Sequence, residues 1–277
     1  MTNDKIIVQS FWTKPIAKER LGDAMYMAAL SMTFARRSGY KVHMHTDSFG
    51  MSLLHSFGYD NIYPTLDAIP DKTPRELFAA GKFFALRAEG IVGKVHADFD
   101  VFIKKPCLDR FFLDKRIDVI CQQEEDVAIY CDHDDKIRAM HVLGYPPATR
   151  PDWLGSMNTG IVGFNNAALA EKYMNNYFEA LDMYTQDMFD QYRQTHEAPC
   201  LLFDFILEQV VLSYMSVGYN VLTLLPMHGK NLITKEIGYA HYSGPQKWSD
   251  HCMSAIKRKL HELDPLLYEI AGGSSPC

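Results

Sequence analysis

Between residues 5 and 101 the sequence alternates strand-like and helix-like segments, and this order constrains the fold more than any other feature of the chain. Residues 5–11 read as a buried strand. Residues 20–38 carry Ala24, Met27, Ala28, Leu30, Ser31, Phe34 and Ala35 at helical spacing ahead of Gly39, the pattern of a helix packed on a sheet and ended by glycine. A second strand at 41–46, a short helix at 51–57 ended by Gly58, a β-rich segment at 61–63 and a helix at 74–89 follow. Residues 93–101 (GKVHADFDV) begin as a central strand and end on two carboxylates. A β-α-β-α-β order implies an α/β fold with a Rossmann-like, mostly parallel, doubly wound sheet flanked by helices. Ligands on such sheets bind beyond the carboxyl ends of the strands.

The second half reads as a strand at 117–121, a polar stretch at 122–135, a loop at 146–152, a strand at 158–164, a long helical stretch at 167–194, a helix at 203–217, a strand at 220–225 and a C-terminal helical elaboration at 251–271. The tail 272–277 (GGSSPC) is expected to fray. With 277 residues, 47% of them hydrophobic and 22% charged, the composition is that of a folded globule and not of a disordered chain. We expect one domain over 1–271.

Charge and cysteine usage narrow the function classes. Lys and Arg number 28 against 34 Asp and Glu, a net charge of −6. That balance argues against nucleic acid as a partner, and a phosphorylated ligand would need positive charge supplied locally. No apolar run approaches the roughly 18 residues of a membrane span, which leaves room only for peripheral contact with a membrane. The first residues are too short of apolar length for a signal peptide. Cys107, Cys121, Cys131, Cys200, Cys252 and Cys277 form no CxxC pair, so reduced thiols and a cytoplasmic location are expected.

Two short motifs carry chemistry. In HADFDVF, Asp98 and Asp100 are two apart, and on an extended segment they share one side. Like charges at that spacing suit a divalent cation such as Mg²⁺ or Mn²⁺; the bland alternative is a solvated turn after a strand. In HYSGPQKW, His241 can complete a metal's shell, Gly244 lets the backbone approach a ligand, and Lys247 can meet a phosphate. Taken singly, each is also an ordinary core, turn or surface residue. His43 and His45 alternate on one strand face without an evident third ligand, which favours packing over metal binding. Met25, Met27 and Met32 read as core filler.

Taken together these residues resemble the GT-A glycosyltransferases, and within them the retaining glycogenin and lipopolysaccharide galactosyltransferase family. That pattern runs from a helical Lys to a DxD, an Asn-x-Gly strand start, an acidic-Gln pair and a final HxxGxxKPW. This chain has Lys82 sixteen residues before Asp98, then Asp100, then Asn158, Thr159 and Gly160, then Glu208 and Gln209, then His241, Gly244, Lys247 and Trp248. It departs in three places. No proline separates Lys247 from Trp248, the acidic-Gln pair opens with Glu208 in place of Asp, and the first strand offers Gln9, Ser10, Phe11 and Trp12 where the family has Thr-x-x-Asp.

The resemblance implies a metal-dependent transfer of a hexose from a UDP-sugar to a hydroxyl acceptor, a glycan or a lipid-linked sugar, with retention. It implies Mn²⁺ or Mg²⁺ on Asp98, Asp100 and His241. Donor binding falls to Gln9, Ser10, Trp12, Lys82, Asp98, Asn158, Gly244 and Lys247, and catalytic duty to Glu208, Gln209 and Lys82. The nucleotide-sugar part is then about 1–106 and the acceptor side 107–271, with the acidic knot Asp132, His133, Asp134 and Asp135 as solvated surface or an acceptor-side rim. For Lys82, Glu208 and Gln209 the alternative is a solvated helix face, and for Trp12 core packing is preferred to stacking on uracil. Two other readings stay open. One is a nucleotide-sugar or glycan binding protein that has lost turnover, with Glu208 as the clue. The other is a metal phosphoesterase, which needs a second ion site.

Overall fold

The computed structural model describes residues 4–125, 155–183, 190, 201–226 and 230–273. Seven strands form the central sheet: β1 (Ile6–Phe11), β2 (Lys41–Thr46), β3 (Asn61–Tyr63), β4 (Val95–Ala97), β6 (Val119–Glu125), β7 (Ser156–Phe164) and β8 (Val221–Thr223), in the spatial order β3-β2-β1-β4-β7-β6-β8. Pairs β1·β2, β1·β4, β2·β3 and β6·β8 are parallel, and β7 runs antiparallel between β4 and β6. The sheet is thus mostly parallel and flanked by helices, as the alternation of segments predicts. A separate two-stranded ribbon pairs β5 (Val101–Ile103) with β9 (Tyr239–His241) in antiparallel register, Val101 opposite His241.

Side chains alternate across each strand, so the sheet feeds two cores. Ile161 joins an apolar cluster with helix α1 (Leu21–Arg37) and the C-terminal helices. Its neighbour Val162 joins one built on α3 (Ala80–Glu89), α5 (Ala167–Met183) and the helical residues 203–215. Met25, Met27 and Met32 are buried in the first cluster.

Several boundaries move for identifiable reasons. Helix α2 (Ser48–Leu54) starts earlier than residue 51 because Asp47 caps it, accepting from Gly50 N at 2.7 Å. The expected helix at 74–89 is helical only from Ala80; the preceding segment turns, and the Ala79 N–H donates to the Asp204 carboxylate at 2.7 Å. The expected strand at 93–101 ends at Ala97. The chain then turns through Asp98–Asp100, closed by Val101 N donating to Asp98 O at 3.0 Å, before β5 begins. Aspartates favour such turns. Strand β6 runs on to Glu125 because its polar half pairs with β7, Gln123 opposite Asn158 and Glu125 opposite Ser156.

The terminal helical segment is two helices, α9 (Asp250–Leu263) and α10 (Pro265–Gly273), broken where Pro265 cannot continue the ladder, and the second reaches into the stretch expected to fray. Helix α4 (Asp109–Leu113), helix α8 (Lys230–Ile237) and strand β9 are additions to the sequence reading. Leu201–Phe205 (α6), a π-helical turn Ile206–Val210 and Val211–Met215 (α7) follow one another without a break. The loop expected at 146–152, the acidic knot Asp132–Asp135, the later part of the helix expected at 167–194 and residues 274–277 lie outside the described residues. Among the described residues no helix is long and apolar enough to cross a membrane.

His43 and His45 meet a carboxylate. His43 Nδ1 and His45 Nε2 each lie 2.9 Å from the Glu89 carboxylate, which Lys94 joins at 3.0 Å. Asn61 donates to His43 Nε2 at 2.9 Å, and Thr65 Oγ1 lies 2.8 Å from His45 Nδ1. All four ring nitrogens are engaged, which leaves none for a metal. Burial, against the pull of Glu89, holds His45 below its ordinary 6.5. The unfolded chain therefore takes up that proton first. The neutral ring's contribution is complete above pH 6.5 and is lost as pH falls toward the folded value. The thermal midpoint is expected to drop between pH 7.5 and 5.5, and His45→Gln should make that drop shallower; an equally steep profile in the variant would place the effect on another group.

Candidate functional site

The Asp98–Asp100 turn sits beyond the carboxyl end of β4, beside the end of β1, where a doubly wound sheet binds its ligands. Pairing of β5 with β9 then brings His241 to the same place, since its partner Val101 follows Asp100 directly. The ligand atoms of Asp98, Asp100 and His241 all lie within 4.8 Å of one another. The shared side of an extended strand, which the spacing suggested, is not what aligns the carboxylates; a turn and a distant strand do.

The electrostatics around this trio are closely matched. Lys247 Nζ lies 2.6 Å from Asp100 Oδ2, and His241 Nε2 lies 3.4 Å from Asp100 Oδ1. Lys82, buried on α3, lies 3.1 Å from Asp98 Oδ1, donates to Thr159 O at 2.7 Å and ion-pairs with Glu208. Burial pushes the Asp98 carboxyl up to about 6 against the pull of Lys82. For Asp100 the effect of burial is outweighed by Lys247 and His241, which hold it well below the usual carboxylate range. Lys82 is raised despite its burial, because Asp98 and Glu208 face it. Neighbouring carboxyls pushed in opposite directions mark a site arranged for charge.

Two residues behind His241 set its chemistry. Gln122 Oε1 lies 2.7 Å from His241 Nδ1 and accepts from Tyr239 OH at 2.6 Å. An amide oxygen only accepts, so Nδ1 carries a proton and Nε2 is the nitrogen turned toward Asp100. This is the arrangement of a metal-ligating histidine. Gly160 on β7 lies under the ring, and a Cβ added there would sit 2.6 Å from its Cε1 and Nδ1. Two carboxylates and this imidazole form a donor set that fits Mn²⁺ or Mg²⁺.

A cavity of about 580 Å³ adjoins the trio, within the ordinary range for small-molecule sites. Ser10, Trp12, Lys82, Asp98, Asp100, Asn158, Gly160, Glu208, Gln209, His241, Gly244 and Lys247 line it. Gln9 does not. On β1 it shares the face of Ile7 and Phe11, is fully buried and donates to Ser31 Oγ on α1 at 2.7 Å. Trp12 belongs to the apolar core and forms part of the wall. Asn158 is occupied within the protein: Nδ2 donates to Glu125 and Oδ1 accepts from Gly160 N. Gln209 also lines the cavity, and its Oε1, shielded from solvent, has no partner within the protein. Gly244 has φ +73° and opens the 3₁₀ turn Pro245–Trp248 that presents Lys247.

Sequence reasoning missed Gln122, Tyr239, Arg20 and Phe78. Gln122 was readable only as part of a strand longer than its apolar run, and Tyr239 only once the strand before the HxxGxxK motif was recognised. Arg20 lies 5.8 Å over the Trp248 ring and Phe78 is 46% exposed at the cavity; nothing local distinguishes either from an ordinary surface residue.

The profile of a family of unknown function (DUF6734) matches residues 5–271. Comparison with curated proteins finds no match. Among solved structures, galactosyltransferase LgtC in complex with donor and acceptor sugar analogs is 12% identical with a TM-score of 0.42, over 97% of this chain and 95% of its own. Glycosyltransferase GlyE of Streptococcus pneumoniae, in its apo form, is 12% identical with a TM-score of 0.45, over 99% of this chain and 64% of its own. Mouse xyloside xylosyltransferase 1 is 13% identical with a TM-score of 0.40, over 80% of this chain and 85% of its own.

Proposed function

The chain belongs to the family of unknown function DUF6734, and within it we propose a metal-dependent glycosyltransferase that moves a hexose from a UDP-sugar to a hydroxyl of a glycan or lipid-linked acceptor, with retention. One observation carries the reading. The carboxylates of Asp98 and Asp100 and the imidazole of His241 converge within 4.8 Å, between two lysines and on the wall of a cavity large enough for a nucleotide-sugar. Their order along the chain is that of the family the sequence resembles.

Asp98, Asp100 and His241 would hold Mn²⁺ or Mg²⁺, which when bound supplies a Lewis acid for the departing diphosphate. Lys247 then serves a phosphate oxygen, a charge-assisted contact that offsets the chain's overall negative charge. Ser10 and the face of Trp12 form the wall on the nucleoside side. Glu208 and Gln209 line the sugar side, where the unpartnered Gln209 amide can turn to accept from a hydroxyl and Glu208 can stabilise positive charge developing at the anomeric carbon. Lys82 positions both carboxylates by bridging Asp98 and Glu208.

A phosphoesterase would need a second metal cluster. Among the described residues there is one such group, and His43 and His45 are committed to Glu89. The Lys82–Glu208 ion pair favours the binding-protein alternative to a degree, because a neutralised carboxylate is a weaker partner for a cationic centre. Incubation with a panel of UDP-sugars and Mn²⁺, scoring released UDP, separates the two. The expected result is release from one donor above the rest, abolished by EDTA. Tight Mn²⁺-dependent UDP binding without release from any donor would establish the binding protein, and neither binding nor release would end both readings.

A further inference from the structure

We infer that Lys247 holds one of the cation's ligand oxygens, Asp100 Oδ2, until a diphosphate arrives, so that the site takes up the metal–diphosphate complex in preference to the free ion. This rests on the reading of Asp98, Asp100 and His241 as the metal cradle.

Both carboxylates of the cradle already hold an ammonium. Lys247 Nζ sits 2.6 Å from Asp100 Oδ2, and Lys82 Nζ sits 3.1 Å from Asp98 Oδ1. Asp98, Asp100 and Glu208 against Lys82 and Lys247 leave a local sum of one negative charge. A bare divalent ion would turn that sum to one positive and would lie close to two ammonium groups, which repel it. The diphosphate of a sugar nucleotide carries about two negative charges, so its metal complex enters as a neutral unit and the sum stays at one negative.

The two lysines differ in freedom to move. Lys82 is buried and bound at once to Asp98, Glu208 and the Thr159 carbonyl. Lys247 is 20% exposed, stands on the short 3₁₀ turn after Gly244, and its ammonium lies 5.6 Å and 5.2 Å from the Phe99 and Trp248 ring centres. A phosphate oxygen can replace Asp100 Oδ2 as its acceptor one for one, which frees that oxygen for the metal. Metal and diphosphate thereby promote each other's binding through a single side chain, and by linkage the promotion is mutual.

The test titrates the full-length protein with MnCl₂, alone and with saturating UDP, and reads free Mn²⁺ by electron paramagnetic resonance. For the parent chain, UDP is expected to tighten Mn²⁺ binding about tenfold or more. Lys247→Met should tighten binding of Mn²⁺ alone by about tenfold and remove most of the gain from UDP, whereas Lys247→Arg, which keeps the cation, should follow the parent. Lys247→Gln provides a second neutral variant, and superimposable thermal melts establish that each is folded. If both neutral variants bind Mn²⁺ alone no better than the parent, the role of Lys247 is overturned while the cradle stands. If Asp100→Ala binds Mn²⁺ like the parent in both arms, the cradle is overturned and the inference goes with it.

Discussion

Asp100→Ala is expected to lower Mn²⁺-dependent release of UDP from its preferred sugar donor by about a thousandfold, the loss that follows when several kcal/mol of leaving-group stabilisation disappear. Lys247 and His241 hold this carboxylate ionised well below the usual range, so it keeps its charge for a cation at any working pH. Stability should change little. Lys247, left without its partner, is exposed enough to reach water, and the Asp100 backbone still accepts from Tyr242 N at 3.1 Å. Kinetics and a circular dichroism spectrum of the same preparation decide the matter. A folded variant that releases UDP at the parent rate removes Asp100 from the chemistry. Asp100→Asn, equal in shape, should be nearly as impaired, because an amide offers the cation a dipole in place of a charge.

Gly160→Ala is expected to weaken Mn²⁺ binding by about 10–100-fold and to cost about 1–3 kcal/mol of stability. The new methyl would lie 2.6 Å from the His241 ring and 2.7 Å from Gln122 Oε1, so ring or strand must yield, and the Nδ1 contact that fixes the tautomer is the first to go. A double variant separates the two effects. Adding His241→Ala opens the space the methyl needs and should restore much of the thermal midpoint without restoring metal binding, a non-additivity expected of side chains in contact. Unchanged Mn²⁺ affinity in Gly160→Ala would mean that the His241 position has no bearing on the ion.

Much of this architecture was legible because its signals are local. The alternation of apolar runs and helical spacing through residue 101 gives the parallel strands β3-β2-β1-β4, and Gly39 ends its helix with φ +88°. The candidate site was legible through the family resemblance: Lys82, Asp98, Asn158, Glu208 and His241 are far apart in sequence and line one cavity. Illegible features depend on tertiary partners. Residues 74–79 have helical residue types, yet Asp204 competes for the Ala79 N–H. Glu124 and Glu125 read as loop, and pairing with β7 makes them strand. Gln9 was placed at the ligand because it lies near the end of β1, but alternation along that strand aims it at Ser31 instead.

The β5·β9 ribbon has a consequence for how the protein comes into being. Its strands lie far apart along the chain, Val101 opposite His241, and the Lys247–Asp100 contact that lies against it spans 147 positions. A nascent chain leaving the ribosome therefore exposes its aspartates long before the imidazole and ammonium that complete them exist, and any product of interrupted translation that stops short of residue 239 lacks the second strand of the ribbon and leaves Asp98 and Asp100 without His241 and Lys247.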